Sequence, residues 1–124
     1  MKKSLLGLAV LAACAVAPSA TAVPSAQHGC WATVKLSSMP QTRVWVVNVT
    51  PLQHGTTTLT DAKPRVEVRV KGSWTVFRAK KTAKPGVYRA RVVFPSAGTW
   101  RFRVWDGFEP MCARYHTYAP VHLV

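Results

Sequence analysis

Potential copper or zinc ligands are scattered along this chain. Histidine, methionine and cysteine form a site for these metals only when several of them converge. His116 and His122 lie six residues apart in one expected strand, a span of about 20 Å at 3.3 Å per residue. They cannot chelate one ion unless a turn lies between them, which Pro120 would permit. Met111 precedes Cys112, whereas blue-copper loops run in the order Cys, His, Met. We therefore favour no cofactor and keep a copper-linked accessory function as the alternative, with these candidate ligands: His28, Met39, His54, Met111, His116 and His122, with Cys112 if its thiol is free.

The motifs of hydrolytic catalysis are missing from the sequence. There is no Gly-x-Ser-x-Gly nucleophile elbow and no glycine-rich phosphate loop. Paired carboxylates for acid–base catalysis are scarce because the chain has only four acids, of which Asp106 and Glu109 are expected in turns. We predict that the protein is not an enzyme.

The charge balance is strongly cationic. Seventeen Lys and Arg residues face four Asp and Glu residues, which gives a net charge of +13. Such a charge favours polyanionic partners. We expect an anionic envelope polymer, lipid headgroups or a membrane protein as the partner. Specific nucleic-acid binding is not expected, because no zinc pattern, basic helix or aromatic signature strand accompanies the charge. The oligomeric state stays open.

The first 22 residues have the pattern of a cleavable signal peptide. Two lysines, a short apolar stretch and a small-x-small pattern ending at Ala22 follow one another. Loss of both lysines lowers the net charge from +13 to +11. Residues 23–29 would then be a short linker, and we predict an extracytoplasmic location, secreted or in the cell envelope. The alternative is a lipid anchor on Cys14, which ends a Leu-Ala-Ala-Cys sequence similar to a bacterial lipobox.

Two cysteines remain in the mature domain, which we place at 30–124. Export leads to an oxidising compartment, where two cysteines in a small domain usually pair. We predict a disulfide between Cys30 and Cys112, near the two ends of the β region. In a chain-entropy model, a loop of that length contributes about 4.5 kcal/mol to stability.

Strand patterns dominate the rest of the sequence. Val66, Val68 and Val70 alternate with charged residues, as in a half-buried strand. Short turn sequences that contain proline or glycine separate this run from other alternating runs. Short strands at this spacing predict an all-β, immunoglobulin-like antiparallel sandwich of about seven strands, with a small closed β-barrel as the alternative. The expected strands are 31–36, 43–50, 65–71, 74–79, 88–94, 100–104 and 115–123.

The expected strands 88–94 and 100–104 carry the most regular pattern of arginines. If they pair as a hairpin with like faces opposed, Val92 faces Phe102 and Arg91 faces Arg103. Like charges directly across a sheet are destabilising, so this ladder either lies in water or meets an anion. We hypothesise that a non-catalytic, exported binding module docks this face on a polyanionic partner. The candidate residues are Arg89, Arg91, Arg101, Arg103 and an outward Trp105.

The same region resembles a known family. Gly86 and Tyr88 precede an alternating strand, and a Pro/Gly turn leads to Gly98 and Trp100 before the next strand. Together with the acidic–basic strand over 61–68, this pattern is similar to the YtkA-like (FixH-related) extracytoplasmic domains across about 42–105. The resemblance implies a secreted or membrane-tethered β-sandwich, linked in some members to copper handling or oxidase assembly. The methionine- and histidine-bearing segment that some members carry between the middle strands is missing here.

Overall fold

The computed structural model describes residues 32–108 and 112–124. Within these two ranges every regular element is a β-strand. No helix of the described residues is long and apolar enough to span a bilayer. The strands are β1 (Ala32–Leu36), β2 (Val44–Gln53), β3 (Thr57–Thr58), β4 (Arg65–Val70), β5 (Ser73–Arg78), β6 (Lys80–Lys81), β7 (Tyr88–Val93), β8 (Gly98–Trp100), β9 (Phe102–Trp105), β10 (Tyr115–Thr117) and β11 (Val121–Leu123).

The first sheet has the strand order β1-β2-β7-β6, and β3 pairs with the end of β2. Its centre is the antiparallel pair β2–β7, in which Val47 lies opposite Ala90. Alternation along β2 buries Trp45, Val47 and Val49 and exposes Val46. One face of the first sheet is therefore apolar and buried, and the other meets solvent.

The second sheet has the order β10-β9-β4-β5. Val66 and Val68 of β4 are fully buried, while Arg65 and Arg69 point to the opposite, outer face. Strands β8 and β11 form a separate two-stranded ladder beside these sheets. This second sheet contributes the other apolar face that a sandwich requires.

The core lies between the two sheets and is built from the inward residues of both. The Trp45 ring meets the Phe102 ring edge-on at 5.2 Å, and the Tyr118 ring stacks on Phe102 at 4.9 Å. Such aromatic pairs stabilise a core beyond the area that they bury. The prediction of an all-β antiparallel sandwich is confirmed. The barrel alternative is wrong, because none of the sheets formed by residues 32–108 and 112–124 closes on itself.

The predicted hairpin between 88–94 and 100–104 is wrong. Strand β7 pairs with β2 and β6 in the first sheet, whereas β9 pairs with β4 and β10 in the second. The residue opposite Arg91 is Val46, and the residues opposite Arg103 are Glu67 and Thr117. The two strands face one another across the core, because the buried residues of each need an apolar partner layer. This arrangement also avoids the arginine–arginine repulsion that the hairpin would have created.

The predicted strand 115–123 is divided in two at Pro120. Strand β10 pairs with β9, and β11 pairs with β8 in a different ladder. Proline lacks the N–H that a ladder needs, so the chain changes partners there. The split places His116 and His122 in separate ladders.

Candidate anion-binding site

A groove opens where the chain passes from the second sheet to the first. Strand β5 ends at Arg78, and β6 begins at Lys80. The residue between them, Ala79, is fixed by a 3.0 Å hydrogen bond from its N–H to the carbonyl of Pro64. The resulting groove has a volume of about 840 Å³, within the range of small-molecule sites.

Five cationic side chains line this groove, and no acid is among its lining residues. All five belong to residues that are exposed to solvent. Asp61 approaches one of them, with its carboxylate 3.4 Å from the Lys81 ammonium. Both side chains are well solvated, at 67% and 93% exposure, so this pair neutralises little of the local field. The cationic set is Arg78, Lys80, Lys81, Arg89 and Arg91.

Apolar side chains lie between these cations. Val46 is 52% exposed and Val76 is 44% exposed, and Phe77 joins them in the lining. These side chains give the lining an apolar part beside the cations. The groove therefore offers both positive charge and apolar contact to a ligand.

Hydrogen bonds fix one groove cation, Arg89, and the loop beside the groove. The Arg89 Nε donates to Asn48 Oδ1 at 3.2 Å, and these residues are directly opposite in the β2–β7 ladder. The loop from β6 to β7 is closed by two bonds to the carbonyl of Val87, from the Thr82 N–H at 3.1 Å and from its hydroxyl at 2.8 Å. A preorganised cation loses less side-chain entropy when an anion binds.

A second group of cations lies on the outer face of the second sheet, around Glu67. The Glu67 carboxylate accepts from Arg65 Nε at 2.7 Å, from Arg103 Nη2 at 2.8 Å and from the Tyr115 hydroxyl at 3.1 Å. The Arg103 guanidinium is stacked between two rings, 4.0 Å from Trp74 and 3.7 Å from Tyr115. We call Arg65, Glu67, Trp74, Arg103 and Tyr115 the Glu67 cluster; it joins all four strands of this sheet.

Electrostatics in the Glu67 cluster favour the ionised carboxylate. Burial by itself raises the pKa of Glu67, but the hydrogen bonds from Arg65, Arg103 and Tyr115 outweigh it and leave the pKa lowered. The same contact to Glu67 raises the pKa of Arg65. Both arginines of the Glu67 cluster are thus paired with an internal acid, which makes them poor candidates for binding an external anion.

The structure does not assemble the five predicted polyanion-binding residues into one face. Arg89 and Arg91 lie on the outer face of the first sheet and line the groove. Arg103 and Trp105 lie on the second sheet, and Arg101 is exposed between β8 and β9. The separation follows from the sandwich pairing, since β7 and β9 belong to different sheets.

Trp105 is half-buried instead of projecting freely outward. Its ring lies 4.7 Å from the Tyr115 ring and 4.9 Å from the Arg65 guanidinium. Its indole N–H is buried without a hydrogen-bond partner. Trp105 therefore extends the Glu67 cluster as packing.

The groove cations that the sequence analysis missed are Arg78, Lys80 and Lys81. Their signal was the run of basic residues at 78–81, directly before the turn that leads to β7. This run did not by itself indicate a binding site, because runs of charged residues are commonly found at strand ends that lie in solvent. Only the crossing between sheets places them beside Arg89 and Arg91.

The candidate metal ligands do not converge within the described part of the chain. No three His, Cys, Asp or Glu residues are close enough there to hold an ion. His54 lies in the turn between β2 and β3, and the His122 ring contacts the Thr99 hydroxyl at 3.3 Å. Met39 is exposed before β2. His28 and Met111 lie outside the described residues, so the copper hypothesis stays a prediction.

His116 takes part in a buried polar pair. Its Nε2 lies 2.8 Å from Asp106 Oδ2, and both side chains are nearly fully buried. The other Asp106 oxygen accepts the N–H groups of Phe108 and Arg114, at 3.1 and 3.2 Å. Asp106 lies in the segment directly after β9, as expected for a turn residue, and it organises that segment from inside. Glu109, the other predicted turn acid, lies outside the described residues.

Cys112 is disulfide-bonded. Its predicted partner, Cys30, lies outside the described residues, so the Cys30–Cys112 pairing stays a prediction. The same is true of the signal peptide, the linker and the lipid anchor on Cys14.

The fold and the groove together define a class: an antiparallel β-sandwich domain with a cationic groove where the chain crosses between its sheets. The model of the YtkA-like family matches residues 32–105, which is more than half of the chain. The chain belongs to the YtkA-like family, as its resemblance implied. The match runs from β1 to the end of β9 and so includes the groove. No curated protein and no solved structure matches the chain.

Proposed function

We propose that this protein is an exported, non-catalytic binding module of the cell envelope that docks its cationic groove on a polyanionic partner. The observation that carries the proposal is the lining of the groove, where five cations occur without an acid. An acid-free concave surface raises the local concentration of anions and guides their approach. The net charge of +11 that remains without Lys2 and Lys3 extends this attraction beyond the groove.

The location of the acids supports this choice of site over the second sheet. Glu67 is paired with Arg65 and Arg103, so an anion arriving there would compete with a carboxylate already in place. No such competitor lines the groove. We therefore retain Arg89 and Arg91 as polyanion-binding candidates and no longer include Arg103.

The test measures binding of the protein, purified from its host in the processed form that the host makes, to inorganic polyphosphate. Attraction must weaken between about 0.1 M and 1 M salt, because the Debye length falls from about 10 Å to 3 Å. The variant Arg89→Gln/Arg91→Gln should bind more weakly and lower the slope of log affinity against log salt by about 1.5, since each lost phosphate contact removes about 0.7 to 0.9.

The matched control is Arg69→Gln/Arg101→Gln, which removes the same charge from exposed residues that do not line the groove. It should lose much less affinity than the groove variant. Equal losses in both variants would show that net charge alone drives binding, and salt-independent binding would overturn the electrostatic proposal. The mass of the purified protein tests export: a start at Val23 supports cleavage, and an unprocessed Met1 contradicts it.

A further inference from the structure

The outer face of the first sheet combines cations with exposed valines. Val44 and Val93 lie opposite each other, and Val46 lies opposite Arg91 in the same ladder. These valines are 47%, 36% and 52% exposed, respectively. We call Val44, Val46, Arg89, Arg91 and Val93 the cation–valine face.

This composition is more than a soluble polyanion requires. A hydrophilic polymer would be held by the cations alone and would leave the valines in water. Val44 and Val93 do not line the groove, so a small ligand inside the groove would not cover them either. A continuous exposed apolar patch beside polar residues is typical of a surface that contacts a membrane or another large partner.

A bilayer that carries anionic headgroups satisfies both parts of the face. Its phosphates complement the arginines, and the boundary between headgroups and acyl chains accepts apolar side chains. Arg89 and Arg91 alternate with buried residues along β7, so both project from the same face as Val46. Long arginine side chains can reach headgroup phosphates while neighbouring valines enter the boundary region.

We propose that the cation–valine face docks the protein on an anionic lipid bilayer. This inference rests on the proposed function, because the same arginines bind the anion, and it names the partner as a membrane surface. It predicts that the valines contribute to binding of vesicles and contribute nothing to binding of a soluble polyanion.

The experiment measures flotation of the host-processed protein with two kinds of vesicle, phosphatidylcholine alone and phosphatidylcholine mixed with phosphatidylglycerol. Inorganic polyphosphate is the soluble probe. The apolar variant is Val44→Thr/Val46→Thr, which keeps the β-branched shape that a strand favours. The charge variant is Arg89→Gln/Arg91→Gln. Thermal unfolding checks that each variant is folded.

We expect binding to mixed vesicles and little binding to phosphatidylcholine. Each arginine change should weaken vesicle binding about five-fold, because a cation near an anionic surface contributes about that factor. The threonine pair should weaken vesicle binding about five-fold through lost apolar contact and leave polyphosphate binding unchanged.

The two proposals fail in different ways. If the threonine pair binds mixed vesicles as well as the wild type does, the bilayer inference is wrong, and the polyanion function stands. If the arginine pair binds polyphosphate as well as the wild type does, the proposed function is wrong. Equal binding to both kinds of vesicle would also overturn the inference, since the partner would then not need to be anionic.

Discussion

Replacing Glu67 with glutamine tests whether one carboxylate holds the outer face of the second sheet together. The Glu67 side chain is 3% exposed and accepts hydrogen bonds from Arg65, Arg103 and Tyr115, on strands β4, β9 and β10. Glutamine has almost the same shape, but its amide nitrogen donates where the carboxylate accepted. In the variant, the amide N–H groups of glutamine face the donors that bonded the carboxylate, and two partly buried arginines lose their counter-charge.

The expected loss of stability is large for an isosteric change. Breaking a buried ion pair costs about 3 to 5 kcal/mol. Here Arg65 and Arg103 keep 24% and 23% exposure, so water recovers part of their solvation. The rings of Trp74 and Tyr115 also remain stacked on Arg103. We therefore expect a loss of about 2 to 3 kcal/mol, which lowers the Tm by about 10 to 20 °C in a domain of this size.

The pH dependence gives a second signature of the Glu67 cluster. Because the folded state lowers the pKa of Glu67 below its ordinary value of 4.5, the ionised carboxylate stabilises the fold above that pH. This contribution is lost as the pH falls through the folded pKa. In Glu67→Gln the residue no longer titrates, so stability should fall less steeply on the acid side.

The assay is urea unfolding followed by tryptophan fluorescence, at neutral pH and through the acid range. The control is Asp61→Asn, the same chemical change at an ion pair whose side chains are 67% and 93% exposed. It should leave stability almost unchanged. If Glu67→Gln costs no more than the control, or if the two unfolding curves shift equally with acid, the Glu67 cluster does not stabilise the sheet as argued.

Three further changes probe other parts of the fold, each measured by chemical unfolding. Gly107→Ala should lower the free energy of unfolding by about 3 kcal/mol or more, because φ is +75° and a Cβ would lie 2.3 Å from the Lys63 backbone. Gly72→Ala should lower it by about 1 kcal/mol, because φ there is +81° but the surrounding space is open. Burial raises the pKa of Tyr118 to about 12 from 10.0, so wild-type stability should decline between those values as the unfolded chain ionises first, and Tyr118→Phe should abolish that decline. Asp106→Asn should cost about 2 to 3 kcal/mol, since this buried carboxylate meets a histidine and two backbone N–H groups; a loss below that of Gly72→Ala would contradict the role assigned to it.

The strands that supply the core, such as β2, β4 and β7, were predictable because buried and exposed residues alternate along them. The alternation at Val66 and Val68 marks the inward side of β4, and the structure buries both residues completely. The expected strands 65–71 and 74–79 left room only for a tight turn at Gly72, and in the structure Lys71 and Gly72 form a two-residue connection with positive φ at both positions. A connection that short leaves one possible neighbour, so local sequence determines the pairing.

The pairing of β7 and β9 was not predictable in the same way. Alternation of apolar and polar residues indicates which side of a strand is buried, but it does not indicate which strand lies beside it. Residues 94–101, which include β8, separate β7 from β9 and are long enough either to close a hairpin or to cross between sheets. The choice depends on packing of Phe102 against Trp45 from the first sheet, a contact between residues far apart in sequence. The predicted arginine face failed for this reason.

We propose that the position of the few acids, more than the number of bases, decides which part of the surface binds an anion. Glu67 is enclosed by Arg65 and Arg103, and Asp106 is buried beside His116. Both of these acids lie on or within the second sheet and the segment that follows it, so the positive charge of that side is partly balanced internally. No acid lies among the residues that line the groove of the first sheet, so the cations there are not balanced in this way. Arg65 and Arg103 are therefore occupied by Glu67, whereas Arg89 and Arg91 line a groove without an acid among its lining residues, and we propose that they bind the partner.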